Sequence, residues 1–270
     1  MYAHRLLCPK KGKMRRRLQI EPPPGVRKFH SKQSDLGEHM MQVPFRAVLL
    51  GPGSSGKTLA MQAMILNHYR GVFQKIFLWS PTSRLDSGWE PVFRYMQREL
   101  GQDPEAKGEE QCVWDTFSGA DLEAVVEKHT KIVRELKSRK SDRSIELLDC
   151  LLLCDDFADQ ADVMRRSGFV TAFLRLRHQY ISCAVLSQRW RLLDPTVRVN
   201  LTGILVWRLR DVDELDQVIR SLGAKYGRDI TMAIYKRCTS EPYSFMYFDA
   251  LTNTFYCRFE HRVQVPGVDD

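Results

Sequence analysis

The sequence has no apolar run long enough to cross a membrane. Its longest such stretch, Leu147–Phe157, is interrupted by Asp149, Asp155 and Asp156, whereas a spanning helix needs about 20 apolar residues. The start, MYAHRLLCPKKGKMRRR, reaches dense positive charge before any apolar segment of signal-peptide length. The seven cysteines are scattered and include no C-x-x-C pair, which argues against a zinc site and a disulfide framework. No segment repeats. These absences lead us to expect a soluble, intracellular chain whose reduced cysteines pack as small hydrophobes.

The 270 residues are 43% apolar, enough for a full core in one large domain or a domain with an appendage. The net charge of +8 is unevenly placed. Residues 1–33 hold ten Lys/Arg against one acid, Glu21, and so carry +9, which leaves −1 for the rest. Basicity therefore belongs to an arm, suited first to nucleic acid and second to an anionic surface. The basic cluster Lys10–Arg17 and the Pro22–Gly25 breaker suggest a poorly ordered segment over residues 1–40. A globular domain is expected over 41–262, with a short tail over 263–270.

Within the globule, short apolar runs read as strands at Phe45–Leu50 (ended by glycines), Lys75–Ser80 (stopped by Pro81), Cys112–Phe117, Glu146–Cys154 (ending on Asp155-Asp156), Cys183–Gln188 and Ile204–Leu209. Helical spacing predicts helices over Lys57–His68 (face Leu59, Ala63, Leu66, widened by Met61 and Ile65), Trp89–Leu100, Gly119–Lys140 and Gly168–Arg177, and short ones over Asp213–Ser221 and Asp229–Lys236. Ser244–Asp249 and Thr254–Phe259 alternate around Thr252-Asn253, a terminal β-hairpin. Strands alternating with helices make an α/β fold with a mainly parallel central sheet flanked by helices, which binds ligands at the carboxyl ends of its strands.

That is where the chemistry-bearing motifs fall. Gly51-Pro52-Gly53-Ser54-Ser55-Gly56-Lys57-Thr58 fits G-x-x-x-x-G-K-[ST] between a strand and a helix, the context that marks a phosphate loop. The glycines let the backbone wrap phosphates, Lys57 reaches the β/γ-phosphates of ATP, and Thr58 offers its hydroxyl to Mg²⁺. LLLCDDF (Leu151–Phe157) supplies a second strand whose tip carries Asp155, for the metal or its water, and Asp156, able to accept a proton from attacking water. CAVLSQ brings Ser187 and Gln188 to the same rim, where a glutamine can orient water and sense the γ-phosphate. Arg198 in TVRVN is a candidate to stabilise transferring charge; Arg208 and Arg210 are weaker ones. His178 alone reads more readily as a structural histidine. The five tryptophans form no stripe and read as packing.

The ordered set GPGSSGKT, LLLCDDF, RLRHQYISCAVLSQ and PTVRVN resembles the poxvirus-type genome-packaging ATPases of large DNA viruses, P-loop translocases of the FtsK/HerA superfamily, over roughly residues 43–260. The resemblance implies that Lys57 and Thr58 bind ATP–Mg²⁺, that Asp155 coordinates the metal, that Asp156 is the general base, that Gln188 is the sensor glutamine and that Arg198 is a candidate arginine finger. It further implies a ring homo-oligomer that pumps double-stranded DNA, without sequence specificity, into a capsid, with capsid or portal components as further partners. The place of action would be host cytoplasm, viral factory or virion. The basic arm lies outside the shared core. Alternatives from other classes are a P-loop phosphotransferase acting on a nucleoside or nucleotide, and a non-hydrolysing nucleotide-dependent scaffold. Asp156 and Gln188 favour water as the acceptor.

Overall fold

A computed structural model describes residues 39–138, 148–156 and 167–265. The expected basic arm, most of the charged loop at 138–143 and Phe157 of the acidic motif lie outside these residues.

Among these residues nine strands form one sheet: β1 (Arg46–Leu50), β2 (Phe73–Trp79), β3 (Val113–Trp114), β4 (Asp149–Asp155), β5 (Ile181–Ser187), β6 (Gly203–Trp207), β7 (Phe245–Asp249), β8 (Thr254–Cys257) and β9 (His261–Arg262). Their order is β3-β2-β4-β5-β1-β6-β7-β8-β9. The first six in that order run parallel and the last three antiparallel. β1, β4, β5 and β6 are buried along their whole length, as expected of parallel strands covered on both faces.

The strand period of two sorts side chains into two cores. Val48, Leu50, Leu152, Cys154, Val185 and Val206 face one way, beneath α3 (Gly119–Ser138), α4 (Ser167–Arg175), α6 (Val212–Leu222) and α7 (Arg228–Cys238). Ala47, Leu49, Leu151, Leu153, Leu186 and Trp207 face the other, beneath α1 (Lys57–Ala63), its π-helical continuation Met64–His68, and α2 (Glu90–Glu99). A short helix, α5 (Pro195–Val199), lies on the crossover from β5 to β6 and was not visible in the periodicity. Pro195 occupies its first turn and Asp194 caps it by accepting from the Thr196 N–H at 2.7 Å.

Several expectations need correction. Along α1 and its π-helical continuation the residues that face the core are Met61, Gln62, Met64 and Ile65, while Leu59 points outward at 69% exposure. The strand expected over Cys112–Phe117 shrinks to Val113–Trp114, because only those residues pair with β2 and Asp115 turns out to an ion pair with Arg84 at 3.1 Å. Packed structure begins before Phe45, since Met40 and Met41 are buried. It also continues into the expected tail, since Val263 is buried. Not every cysteine is a free thiol: Cys238 at the end of α7 and Cys257 on β8 form a disulfide across a Cα–Cα distance of 4.8 Å. α7 packs on the hairpin and brings together two residues 19 apart in sequence, a proximity that spacing alone does not announce. Cys112, Cys150, Cys154 and Cys183 are buried and free. The hairpin itself forms as expected, with Asn253 at φ 52° in its turn. Trp79, Trp89, Trp190 and Trp207 are buried, and Trp114 stacks on Trp79 at 4.5 Å.

Among the described residues no helix is long and apolar enough to cross a membrane.

Candidate functional site

The strand order decides the geometry of the site. β5 lies between the strand that ends in the glycine loop, β1, and the strand that ends in acids, β4. Parallel pairing sets Leu50 opposite Ser187, and Leu186 opposite Asp155. The loop, the acids and the Ser187-Gln188 tip therefore emerge at one edge of the sheet. The Gly51 N–H donates to the Ser187 carbonyl at 3.1 Å, tying the start of the loop to the tip of β5.

The loop takes two left-handed backbone angles, one at a glycine that adopts it freely and one at a serine. Gly56, just before α1, sits at φ 98°, and Ser54 at φ 58°. Gly51 has no room for a side chain: a Cβ there would stand 2.7 Å from Ser55 Oγ and 2.8 Å from Trp207 Cβ. Ser55 Oγ can swing away. Trp207 is held, since it is buried and its indole N–H donates to the Tyr243 carbonyl at 3.1 Å. Gly51→Ala is therefore expected to cost about 1–3 kcal/mol through overpacking and to displace the loop. Gly53→Ala, where nothing lies within 4 Å, should leave stability within about 0.5 kcal/mol. Thermal unfolding of the two variants side by side checks the contrast.

Lys57 is buried, and its ammonium donates to the carbonyls of Gly51 at 2.8 Å and Pro52 at 2.9 Å. Burial lowers its pKa, and the opposing charges of Asp155 and Asp156 partly restore it. Asp155 is 5% exposed at the end of β4. Burial above all, then the charge of Asp156, pushes its carboxyl up to about 6, with Lys57 pulling the other way. The Trp89 indole N–H lies close enough to favour the carboxylate without the geometry of a hydrogen bond. Asp156 is at φ 55°, in the left-handed region that Asp tolerates better than most residues. Gln188 Nε2 donates to Asp156 Oδ1 at 3.0 Å.

Lys57, Asp155, Asp156 and Gln188 are thus brought together. Arg198 is not joined to them. It sits on α5 with its guanidinium carbon 5.7 Å from the Trp190 ring centre and its buried Nε without a hydrogen-bond partner among the described residues. Arg208 and Arg210 follow β6 at the loop's own edge and are exposed. Arg177 and His178 precede β5 and so lie at the opposite edge of the sheet, beside Lys137 and Tyr180.

Two contributors escaped the sequence reading. Trp207, taken for packing alone, is the wall that makes Gly51 obligatory. Glu214 is buried at the start of α6 and accepts from the Trp190 N–H at 2.7 Å and the Arg191 N–H at 3.3 Å, fixing the chain just beyond Gln188. Its signal was present: an acid four residues before the core residue Val218, on the face of α6 that should have been apolar.

The oxygen donors on hand, a threonine hydroxyl and a buried carboxylate under-compensated by positive charge, fit Mg²⁺. That ion is commonly held by one or two carboxylates plus phosphate oxygens and water. No cluster of three or more His, Cys, Asp or Glu suited to a metal occurs among the described residues.

Sheet topology and flanking helices define a P-loop NTPase fold. No family model matches the chain, and no curated protein matches it in sequence. Solved structures do. The DNA-packaging ATPase B204 from Sulfolobus turreted icosahedral virus superposes with a TM-score of 0.53 at 16% identity, over 80% of this chain and 97% of that one. The genome packaging NTPase B204 from Sulfolobus turreted icosahedral virus 2, in complex with AMP, gives 0.52 at 13% identity over 80% and 97%. Its complex with ATP-gammaS gives 0.50 at 14% over the same shares. At these identities the likeness establishes a shared fold.

Proposed function

We propose that this protein is an ATP-hydrolysing translocase of double-stranded DNA that packages a genome into a capsid. The observation that carries the reading is the convergence of Lys57, Asp155, Asp156 and Gln188 at one sheet edge, with Gln188 bonded to Asp156. The fold shared with viral packaging NTPases, one of them solved with ATP-gammaS, supports it.

Each residue has work to do on a bound triphosphate. The backbone of Gly51–Lys57 wraps the phosphates, and the Lys57 ammonium leaves the Gly51 and Pro52 carbonyls to meet phosphate oxygens. Thr58 and Asp155 are the residues that would hold Mg²⁺, which offsets phosphate charge. Asp156 takes the proton as a water oxygen bonds to the γ-phosphorus and the bond from that phosphorus to the β–γ bridging oxygen breaks. Gln188 aligns that carboxylate and, through it, the water. Arg198, unbonded to these groups in its own chain, is assigned to contacts between subunits of a ring.

The DNA would be held through its phosphates, without reading sequence. Linear duplex DNA is therefore expected to raise the rate of ATP hydrolysis several-fold, and the stimulation should fall as salt rises. Measurement of inorganic phosphate release by the full chain with and without duplex DNA tests this. Equal rates in an assembled oligomer would overturn the translocase reading, and phosphate appearing on an added nucleoside or nucleotide would replace it with a phosphotransferase.

A further inference from the structure

Tyr243 is poorly explained by packing. It is 74% exposed although it is a large aromatic. It sits at φ 61°, where a residue with a side chain is strained. Among the described residues its ring meets no other ring and its hydroxyl bonds nothing. Its backbone, in contrast, is anchored: the carbonyl accepts from the buried Trp207 indole at 3.1 Å. That anchor sets the ring beside the phosphate loop. Its Cδ1 lies 3.5 Å, and its Cβ 3.8 Å, from where a Cβ would stand on Gly56. A strained, exposed aromatic is thus held against the glycine that precedes Lys57.

The side of the loop matters. The acids and Gln188 arise from β4 and β5, on one flank of β1. Tyr243 leads into β7 and leans on Trp207 of β6, on the other flank. A triphosphate whose terminal phosphorus faces Asp156 and Gln188 must run its remaining atoms away from them. That direction leads toward the β6 flank and to Tyr243. On the first turn of α1, two residues beyond Lys57, Leu59 adds a second outward-facing apolar side chain, 69% exposed.

We propose that Tyr243, with Leu59, is the platform on which the base of the bound nucleotide lies. The inference rests on nucleotide binding at the phosphate loop, as proposed above. The ring offers a π-face to the base and needs no hydrogen bond to its edge, so the phenol hydroxyl is dispensable and the ring is not.

Equilibrium binding of ATPγS and of inorganic tripolyphosphate, both with Mg²⁺, to the full chain tests it. Tyr243→Ala is expected to weaken ATPγS about tenfold, from the usual strength of base–aromatic stacking, and to leave tripolyphosphate within about twofold. Unchanged tripolyphosphate binding also shows that the variant is folded. Tyr243→Phe should match the wild type for both ligands. ATPγS binding unchanged in Tyr243→Ala, or an equal loss for both ligands, overturns the platform while leaving the phosphate loop intact. A wild-type chain that binds neither ligand overturns the nucleotide reading and the platform with it.

Discussion

Asp156→Asn is expected to lower ATP turnover by about 10²–10⁴, the usual contribution of a positioned general base, while ATP affinity stays within about threefold. The structure makes this a clean substitution. Asn occupies the left-handed backbone region at least as readily as Asp, so φ 55° at this position is kept. The Asn side-chain oxygen can still accept from Gln188 Nε2, now at 3.0 Å from Asp156 Oδ1. Only the ability to take a proton is lost. Single-turnover phosphate release, set beside equilibrium nucleotide binding, separates the two effects. Turnover like the wild type's would remove Asp156 from the mechanism. A parallel loss of binding would make it a structural residue.

Asp155→Asn should be more stable than the wild type while its turnover falls. The Asp155 carboxyl is raised to about 6 from an ordinary 3.8, first by burial and then by Asp156. Between those values the folded chain binds more protons than the unfolded one. Stability therefore falls as pH rises from about 4 to 6, and the cost is fully present at pH 7. A shift of this size corresponds to about 3 kcal/mol, or roughly 5–10 °C in Tm for a chain of this size. Asparagine carries no charge to desolvate. The stability difference between variant and wild type, measured without nucleotide, is expected to be near zero at pH 4 and to grow to its full value by pH 7. A destabilised variant, or a gain that does not depend on pH, would contradict this account of the carboxylate. The expected pH-dependent gain would mark Asp155 as a site where charge is kept at the expense of fold stability, as binding sites often require.

The fold was legible where the pattern was strong. Short, strongly apolar runs gave β1, β2, β4, β5 and β6, because a strand covered on both faces has little polar side to confuse the reading. The pattern misled where partners decide the outcome. β3 is short because β2 offers it only two positions, and no local residue says so. Leu59 is a good apolar candidate for a buried helix face, yet it points away from the sheet and the core takes Met61, Met64 and Ile65 instead. Arg198 was found as a residue, but not its helix, because five residues hold too little periodicity to register. The site's charged members were visible as motif residues. Their supports were not: Trp207, Glu214 and Tyr243 act through contacts with residues 23 to 187 positions away, and spacing along the chain carries no trace of them.

Both margins of the nine-stranded sheet end in two-residue strands, β3 and β9. So brief a margin presents too few free amide and carbonyl groups to recruit a strand from another molecule. Among the described residues this makes recruitment of a strand from another copy of the chain harder at either margin.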